Sequence, residues 1–200
     1  MNPRLDGAIK ETYAFHKRDA PGIIIGCYMV DYAMELLGPC GDKLNAVVET
    51  DYCLPDALQI MTGCTAGNKY LRIRDDLGRY ALSLYDRKKK EGVRVFIDLG
   101  KIKDRGLEAL YNFHTRKRDP RVHSDPDFRK ESGKAVVAEF LGAGREVLSY
   151  QRIRVNLPSK PEIYPAAVCS SCKESFITKN ASPQGLCPYC SSKDEYYTAV

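Results

Sequence analysis

The residues most clearly arranged for chemistry are four cysteines near the C-terminus, which form two closely spaced pairs. Cys169 and Cys172 bound the segment CSSC, and Cys187 and Cys190 bound the segment CPYC. Zinc prefers four ligands in a tetrahedron, and each short pair can supply one edge of that tetrahedron. The spacing therefore predicts one structural zinc ion per chain, held by all four thiolates in a zinc ribbon.

Two other interpretations of these four cysteines are open. They could form disulfides or remain free thiols, although a chain of 200 residues with eight cysteines is not a small disulfide scaffold. Iron in a rubredoxin-like site uses the same ligands, so the ligand set favours no metal by itself. A module of about thirty residues buries too little apolar surface to fold alone, so bound metal would supply most of its folding free energy.

A second set of candidate residues lies in the N-terminal half. His16 falls at the end of a predicted helix, and Cys53 lies just before the next helix but one, which begins at Pro55. Cys64 and Thr65 follow that helix in the polar loop GCTAGNK. A thiol at a helix N-terminus faces unpaired N–H groups, which lower its pKa and favour the thiolate. We expect these residues to form a core site for a second metal or a ligand.

The alternative for this second set is a structural role. Cysteines are often buried as small apolar residues, so Cys53 and Cys64 could belong to the core, with His16 merely capping its helix. The spacing of these residues does not decide between the two interpretations. Cys27 lies on the apolar face of its helix and Cys40 in a Gly-Pro turn, so both are assigned to packing.

The composition is that of an ordinary globular protein. The chain is 44% hydrophobic with a net charge of +5, which permits contact with nucleic acid without indicating it. No apolar stretch is long enough to cross a bilayer, and the N-terminus does not resemble a secretory signal, so we expect a cytoplasmic protein without membrane contact. His114 and His123 lie in a polar, arginine-rich stretch and are predicted to be on the surface.

Periodicity predicts the elements that must position these residues. Apolar positions at helical spacing predict helices over residues 5–16, 21–37, 55–62, 101–121 and 126–141. Alternating patterns predict strands over residues 46–50, 71–74, 79–87, 93–99 and 146–157. The second, third and fourth strands are expected to form an antiparallel meander. The predicted fold class is α+β, with N-terminal helices packed on an antiparallel or mixed sheet and a small C-terminal zinc ribbon.

Prolines mark the predicted domain boundary. The segment PSKPEIYP, residues 158–165, has three prolines in eight residues, so it should be extended and semi-rigid. We therefore expect a core domain over residues 1–157, a proline-rich linker over 158–167 and a four-cysteine zinc-ribbon domain over 168–200.

Several core segments resemble a known protein family. They are PGIIIGCYMVDYAMELLG, VETDYCLPDALQIMTGCTAGNK, and LGRYALSLYDR followed by GVRVFIDL. These segments are similar to the E-subunit family of formylmethanofuran dehydrogenase, densely over residues 12–99. The resemblance implies an intertwined homodimer and a metal or active pocket formed by His16, Cys53 and Cys64. The family usually has a cysteine directly before the Pro-Gly that opens the long helix, where this chain has Ala20.

The resemblance also implies a function. The chain would be an accessory or ligand-binding component linked to C1 metabolism, working with other subunits of a molybdenum or tungsten oxidoreductase. Every CxxC motif belongs to the ribbon, so no iron–sulfur signature indicates the catalytic subunit. One alternative is a zinc-ribbon transcriptional regulator that binds nucleic acid or senses metal. Another is an independent enzyme with Cys53 as nucleophile and His16 as base, which requires the two side chains within hydrogen-bond reach.

Overall fold

The computed structural model describes residues 3–158, 163–180, 185–192 and 197 of the chain. The chain divides into two compact units, Met1–Ser159 and Lys160–Val200. The predicted linker over 158–167 lies partly outside the described residues, because 159–162 are not among them. In the following, the first unit is called the core unit and the second the ribbon.

Six α-helices are described in the core unit. They are α1 (Pro3–His16), α2 (Pro21–Leu37), α3 (Leu54–Thr62), α4 (Leu99–Asp104), α5 (Glu108–His114) and α6 (Pro126–Ala143). Proline occupies the first turn of α2, α3 and α6, where its missing N–H would have no helical partner anyway. The carboxylate of Asp125 caps α6 by accepting a hydrogen bond from the backbone N–H of Phe128. The helix starts are therefore encoded locally.

One predicted helix is wrong. The region 101–121 does not form a single helix but contains α4, α5 and a short 3-10 helix over Pro120–His123. Gly106 adopts a left-handed φ of 64° between α4 and α5, and this conformation ends the first of them. The apolar spacing persisted across the break because both short helices bury residues in the same core, Ile102 from one and Leu110 from the other.

The core unit contains a five-stranded mixed sheet. Its strands are β1 (Leu44–Val48), β2 (Leu71–Ile73), β3 (Ala81–Asp86), β4 (Glu91–Ile97) and β5 (Leu148–Arg154), in the spatial order β2-β1-β3-β4-β5. The predicted meander is wrong at β2, which pairs in parallel with β1 after a crossover through α3. Strands β3, β4 and β5 are antiparallel neighbours, and β1 pairs antiparallel with β3. The predicted α+β class with a mixed sheet is confirmed.

Helix α2 is the central element of the core unit. It packs against α1, α3, α6 and strands β3 and β4, and it buries Ile23, Ile25 and Met29 completely. A glycine on α2 lets α3 approach closely: a Cβ built at Gly26 would lie 3.1 Å from the Cβ of Ala57, so a larger residue would push the helices apart. No helix among the described residues is long and apolar enough to cross a membrane.

The described residues of the ribbon form two strands, a 3-10 helix over Thr178–Asn180 and a short α-helix. Strands β6 (Ala166–Val168) and β7 (Ser175–Ile177) form an antiparallel pair, and α7 covers Pro188–Ser192. The first cysteine pair follows β6 in the turn that leads to β7, and the second pair lies at the start of α7. This arrangement is compatible with the predicted small metal-binding ribbon.

Candidate metal centre and core thiol site

The structure brings the four ribbon cysteines together. The sulfur atoms of Cys169, Cys172, Cys187 and Cys190 all lie within 4.8 Å of one another, and those of Cys172 and Cys187 are 3.9 Å apart. Four thiolates at ~2.3 Å from one zinc ion would have sulfur–sulfur edges of ~3.8 Å. The four sulfur atoms therefore already approach the tetrahedron that a metal ion of this size requires.

Backbone hydrogen bonds to sulfur support the same centre. The N–H of Cys187 donates to the sulfur of Cys169 at 3.3 Å, and the N–H of Cys190 donates to that of Cys187 at 3.4 Å. The bond from Cys187 lowers the pKa of Cys169 to about 6, whereas desolvation and hydrogen bonds to the neighbouring thiols raise the pKa of Cys172 to about 12. Among the described residues, these four cysteines are the only group of three or more ligand side chains within reach of one ion.

The core unit brings a thiol, an imidazole and a carboxylate together. The Nε2 atom of His16 lies 3.8 Å from the sulfur of Cys53, and its Nδ1 atom lies 2.7 Å from Oδ2 of Asp56. His16 is the last residue of α1, whereas Cys53 immediately precedes α3 and Asp56 lies in the first turn of α3. The packing of α1 on α3 therefore creates this group, and we call it the core thiol site.

The first turn of helix α2 lies directly against the thiol of Cys53. A Cβ built at Gly22 would lie 3.0 Å from the sulfur of Cys53 and 2.9 Å from the hydroxyl oxygen of Tyr80, so this position must be a glycine. The hydroxyl of the partly buried Tyr80 donates to the carbonyl oxygen of Gly22 at 2.7 Å. The first turn of α2 is thereby fixed against the thiol, and the opposite side of the site remains partly open, because His16 and Asp56 are 19% and 28% exposed.

The predicted lowering of the Cys53 pKa is wrong. Burial and, to a smaller extent, the nearby carboxylate of Asp56 together raise the pKa of this thiol to about 11. The N-terminus of α3 does not offset these effects, because the side chain of Cys53 accepts no capping hydrogen bond from the N–H groups of its first turn. At neutral pH the thiol is therefore protonated, with the imidazole of His16 as its neighbour.

Cys64 and Thr65 do not join the core thiol site. Cys64 follows the C-terminus of α3, and nine helical residues separate it from Cys53 by roughly 13 Å. Its buried sulfur points to the carbonyl oxygen of Leu44, at 3.5 Å. The hydroxyl of Thr65 accepts a hydrogen bond from the N–H of Asn68, whose side-chain oxygen accepts one from the N–H of Thr65. These loop groups bind each other, so they do not extend the site toward a second metal.

The prediction that His114 lies on the surface is wrong. Its ring packs edge-on against Tyr80 and Phe113, with centroid distances of 5.1 Å to each, and its buried Nε2 atom has no hydrogen-bond partner among the described residues. Burial lowers the pKa of His114 to about 4, so the ring is neutral at physiological pH. The polar sequence around it indicated a surface residue. Only its position at the end of α5, four residues after the buried Leu110, pointed inward.

Together, the α+β core and the four-cysteine centre define a protein with a mixed-sheet core unit and a C-terminal metal-binding module. The chain matches the family model FmdE, described as "FmdE, Molybdenum formylmethanofuran dehydrogenase operon", over residues 15–149. Because this match covers more than half of its length, the chain belongs to the FmdE family. The resemblance found from the core segments is thus confirmed.

Two relatives illustrate the similarity. A probable S-adenosyl-L-methionine-binding protein of Archaeoglobus fulgidus is 28% identical over 195 residues, an alignment that covers 93% of this chain and 52% of that protein. The chain thus spans about half the length of this curated relative. The crystal structure of a tungsten formylmethanofuran dehydrogenase FmdE-like protein from Syntrophus aciditrophicus matches with a TM-score of 0.72 and 31% identity, covering 96% of this chain and 95% of that one.

Proposed function

We propose that this chain is a zinc-binding accessory protein of C1 metabolism, which binds a ligand in its core unit and does not act as the catalytic subunit of formylmethanofuran dehydrogenase. One observation carries the proposal: the family match over residues 15–149 contains His16, Cys53 and Asp56 and leaves the four-cysteine centre outside. The core thiol site therefore belongs to the part of the chain shared with the family. The ribbon adds a metal centre to that core.

Zinc is the metal proposed for the ribbon, with iron as the alternative. Either ion accepts four thiolates in a tetrahedron, and the bound ion would link the two cysteine pairs and stabilise the fold of the ribbon. Elemental analysis of the purified chain should find one zinc per chain. Cys172→Ser should lose that zinc, whereas Cys40→Ser, a cysteine outside the ribbon, should keep it. One equivalent of iron, or zinc retained by the Cys172 variant, would contradict the assignment.

The accessory role predicts specific partners and ligands. We propose a homodimer in the cytoplasm that associates with subunits of formylmethanofuran dehydrogenase. A pull-down with the full chain as bait should recover those subunits, and size-exclusion chromatography with light scattering should give twice the mass of one chain. Because one relative is named for S-adenosyl-L-methionine, calorimetric titration with that compound is the first ligand test.

The same experiments separate the accessory role from the regulatory alternative. Binding of the full chain to duplex DNA, with an affinity that falls steeply as salt rises, would favour a nucleic-acid-binding regulator. Recovery of dehydrogenase subunits without such binding would support the accessory role. Recovery of neither partner would remove the proposed link to C1 metabolism and leave only the metal-binding assignment.

A further inference from the structure

The core thiol site has a backbone feature that is common at catalytic nucleophiles. Cys53 has a φ of 45°, a left-handed conformation that side chains other than glycine rarely adopt, and it lies between strand β1 and helix α3. A strained turn between a strand and a helix presents the side chain at its apex to a substrate, as in the nucleophile elbows of hydrolases. In this chain that turn places Cys53 directly before the first residue of α3.

The hydrogen bond between His16 and Asp56 sets the roles of the two imidazole nitrogens. A carboxylate 2.7 Å from Nδ1 favours the tautomer in which Nδ1–H donates to Asp56. The lone pair of Nε2 then faces the thiol of Cys53 at 3.8 Å, a distance within the range of hydrogen bonds to sulfur. Nε2 can therefore accept the thiol proton, while the hydrogen bond to Asp56 keeps the ring oriented.

The environment of the thiol requires such a base. Because burial raises the pKa of Cys53 to about 11, the resting site holds a neutral thiol and not a preformed thiolate. Attack by this sulfur thus depends on transfer of its proton to His16 as the new bond forms. A thiol that served only as core packing would not need an imidazole oriented toward it by a carboxylate.

We propose that Cys53, His16 and Asp56 form a catalytic group that transfers an acyl group from an activated ester or thioester to the sulfur of Cys53. This activity goes beyond the proposed accessory role, which needs only binding. The sulfur attacks the carbonyl carbon, His16 Nε2 takes the thiol proton, and the carbon–oxygen or carbon–sulfur bond of the leaving group breaks. His16 then returns the proton to the departing alkoxide or thiolate, leaving an acyl-thioester on Cys53. Water, activated by the same imidazole, hydrolyses that thioester to the acid and regenerates the thiol.

The imidazole also favours acyl transfer over alkyl transfer at this site. An alkoxide or thiolate needs a proton as it leaves, and an oriented His16 can supply it. A sulfonium methyl donor such as S-adenosyl-L-methionine releases a neutral thioether, which needs no proton. The acid function of His16 would therefore have no role in a methyl transfer.

The test uses p-nitrophenyl acetate as the acyl donor and the full chain loaded with zinc. We expect a burst of about one nitrophenolate per chain, together with a single acetyl group located by peptide mass spectrometry on Cys53. Cys53→Ser, which keeps nearly the same shape, should lose the burst, and His16→Gln should slow acylation about 100-fold or more. Cys40→Ser, which removes a thiol outside the site, should behave like the wild type.

Asp56 acts through His16 and is a positioning residue, so its test needs a separate readout. Asp56→Asn should lower the kcat for ester hydrolysis at least about 10-fold with little change in KM, and Asp56→Glu should restore part of the rate. Circular dichroism and urea unfolding should show that each variant is folded.

Three results would overturn the proposal. The first is acetylation spread evenly over the other cysteines, and the second is a wild-type acylation rate in the folded His16→Gln protein. The third is methylation of Cys53 by labelled S-adenosyl-L-methionine without any acetylation. Because no dehydrogenase subunit takes part in the assay, failure of the acyl transfer and failure of the accessory role are measured separately.

Discussion

Replacing His114 with phenylalanine should remove a pH-dependent loss of stability from the core unit. The ring of His114 lies against Tyr80 and Phe113, its buried Nε2 atom bonds to nothing among the described residues, and burial lowers its pKa from 6.5 to about 4. The unfolded chain takes up a proton as the pH falls through about 6.5, but the folded chain resists protonation until about pH 4. The stability that the neutral ring gives the folded chain is thus fully present above about pH 6.5. It is lost progressively as the pH falls from about 6.5 to about 4.

The size of this effect follows from the difference between the two pKa values. Each pKa unit is worth about 1.4 kcal/mol, so the full loss is about 3 kcal/mol, of which about 2 kcal/mol is lost by about pH 5. Urea unfolding measures the free energy of unfolding of both proteins at about pH 7.5 and about pH 5. Between these two pH values, the wild type should lose about 2 kcal/mol more of this free energy than His114→Phe does. The phenyl ring keeps the packing against Tyr80 and has no nitrogen to protonate.

His123 provides the matched control, because it is also a histidine and lies close to His114 in the sequence, but its side chain is exposed. His123→Gln should leave the pH dependence of unfolding as it is in the wild type. The reasoning would be refuted if His114→Phe had the same pH dependence as the wild type, or if His123→Gln changed it as much. The first result would mean that His114 is accessible to protons in the folded chain, and the second that the pH dependence is not specific to His114.

Two further predictions concern the sheet. A Cβ built at Gly92 would overlap the carbonyl oxygen of Leu84 on the facing strand, so Gly92→Ala should destabilise the core unit by about 3 kcal/mol or more. The control is Gly7→Ala, because Gly7 lies in helix α1 and a Cβ there would have free space; this variant should stabilise the core unit by about 0.5–1 kcal/mol. Equal effects of the two variants in urea unfolding would contradict the packing argument. Glu49 is buried and hydrogen-bonded to two nitrogens of the Arg94 guanidinium, and Arg79 forms a second ion pair with it at 2.7 Å, so Arg94→Met should cost roughly 2 kcal/mol near neutral pH. Burial alone would raise the pKa of Glu49, but its bonds to Arg94 and then Arg79 lower it. The stabilisation by this ion pair is therefore present above the ordinary carboxyl range and is lost as the pH falls through the lowered pKa. The deficit of Arg94→Met should therefore shrink in acid, and a pH-independent deficit would argue against the ion pair.

Short-range features were the most predictable part of this chain. The start of α2 at Pro21 and of α6 at Pro126 agrees with the sequence interpretation, because proline and capping residues act within one helical turn. The two cysteine pairs were assigned correctly to a shared centre, since each pair spans a turn whose geometry is set by a few residues. The expected convergence of Cys53 with Cys64 was wrong, because a helix of nine residues keeps its two ends apart.

Long-range pairings were decided by packing. The parallel pairing of β1 with β2 depends on the crossover through α3, which the alternating pattern of the strand does not encode. The burial of His114 depends on α5 lying against Tyr80, a contact between residues that are distant in the sequence.

The amino-acid sequence by itself determined the four-cysteine cluster, most helix boundaries and the α+β class, because these depend on distances within a few residues and on hydrophobic periodicity. Only the tertiary structure decided which of the remaining polar residues meet. His16 and Cys53 lie 37 residues apart, and their contact exists because glycines on α2 allow α3 to pack closely while α1 lies across it. Asp56 completes that group because one turn of α3 carries its carboxylate to the imidazole.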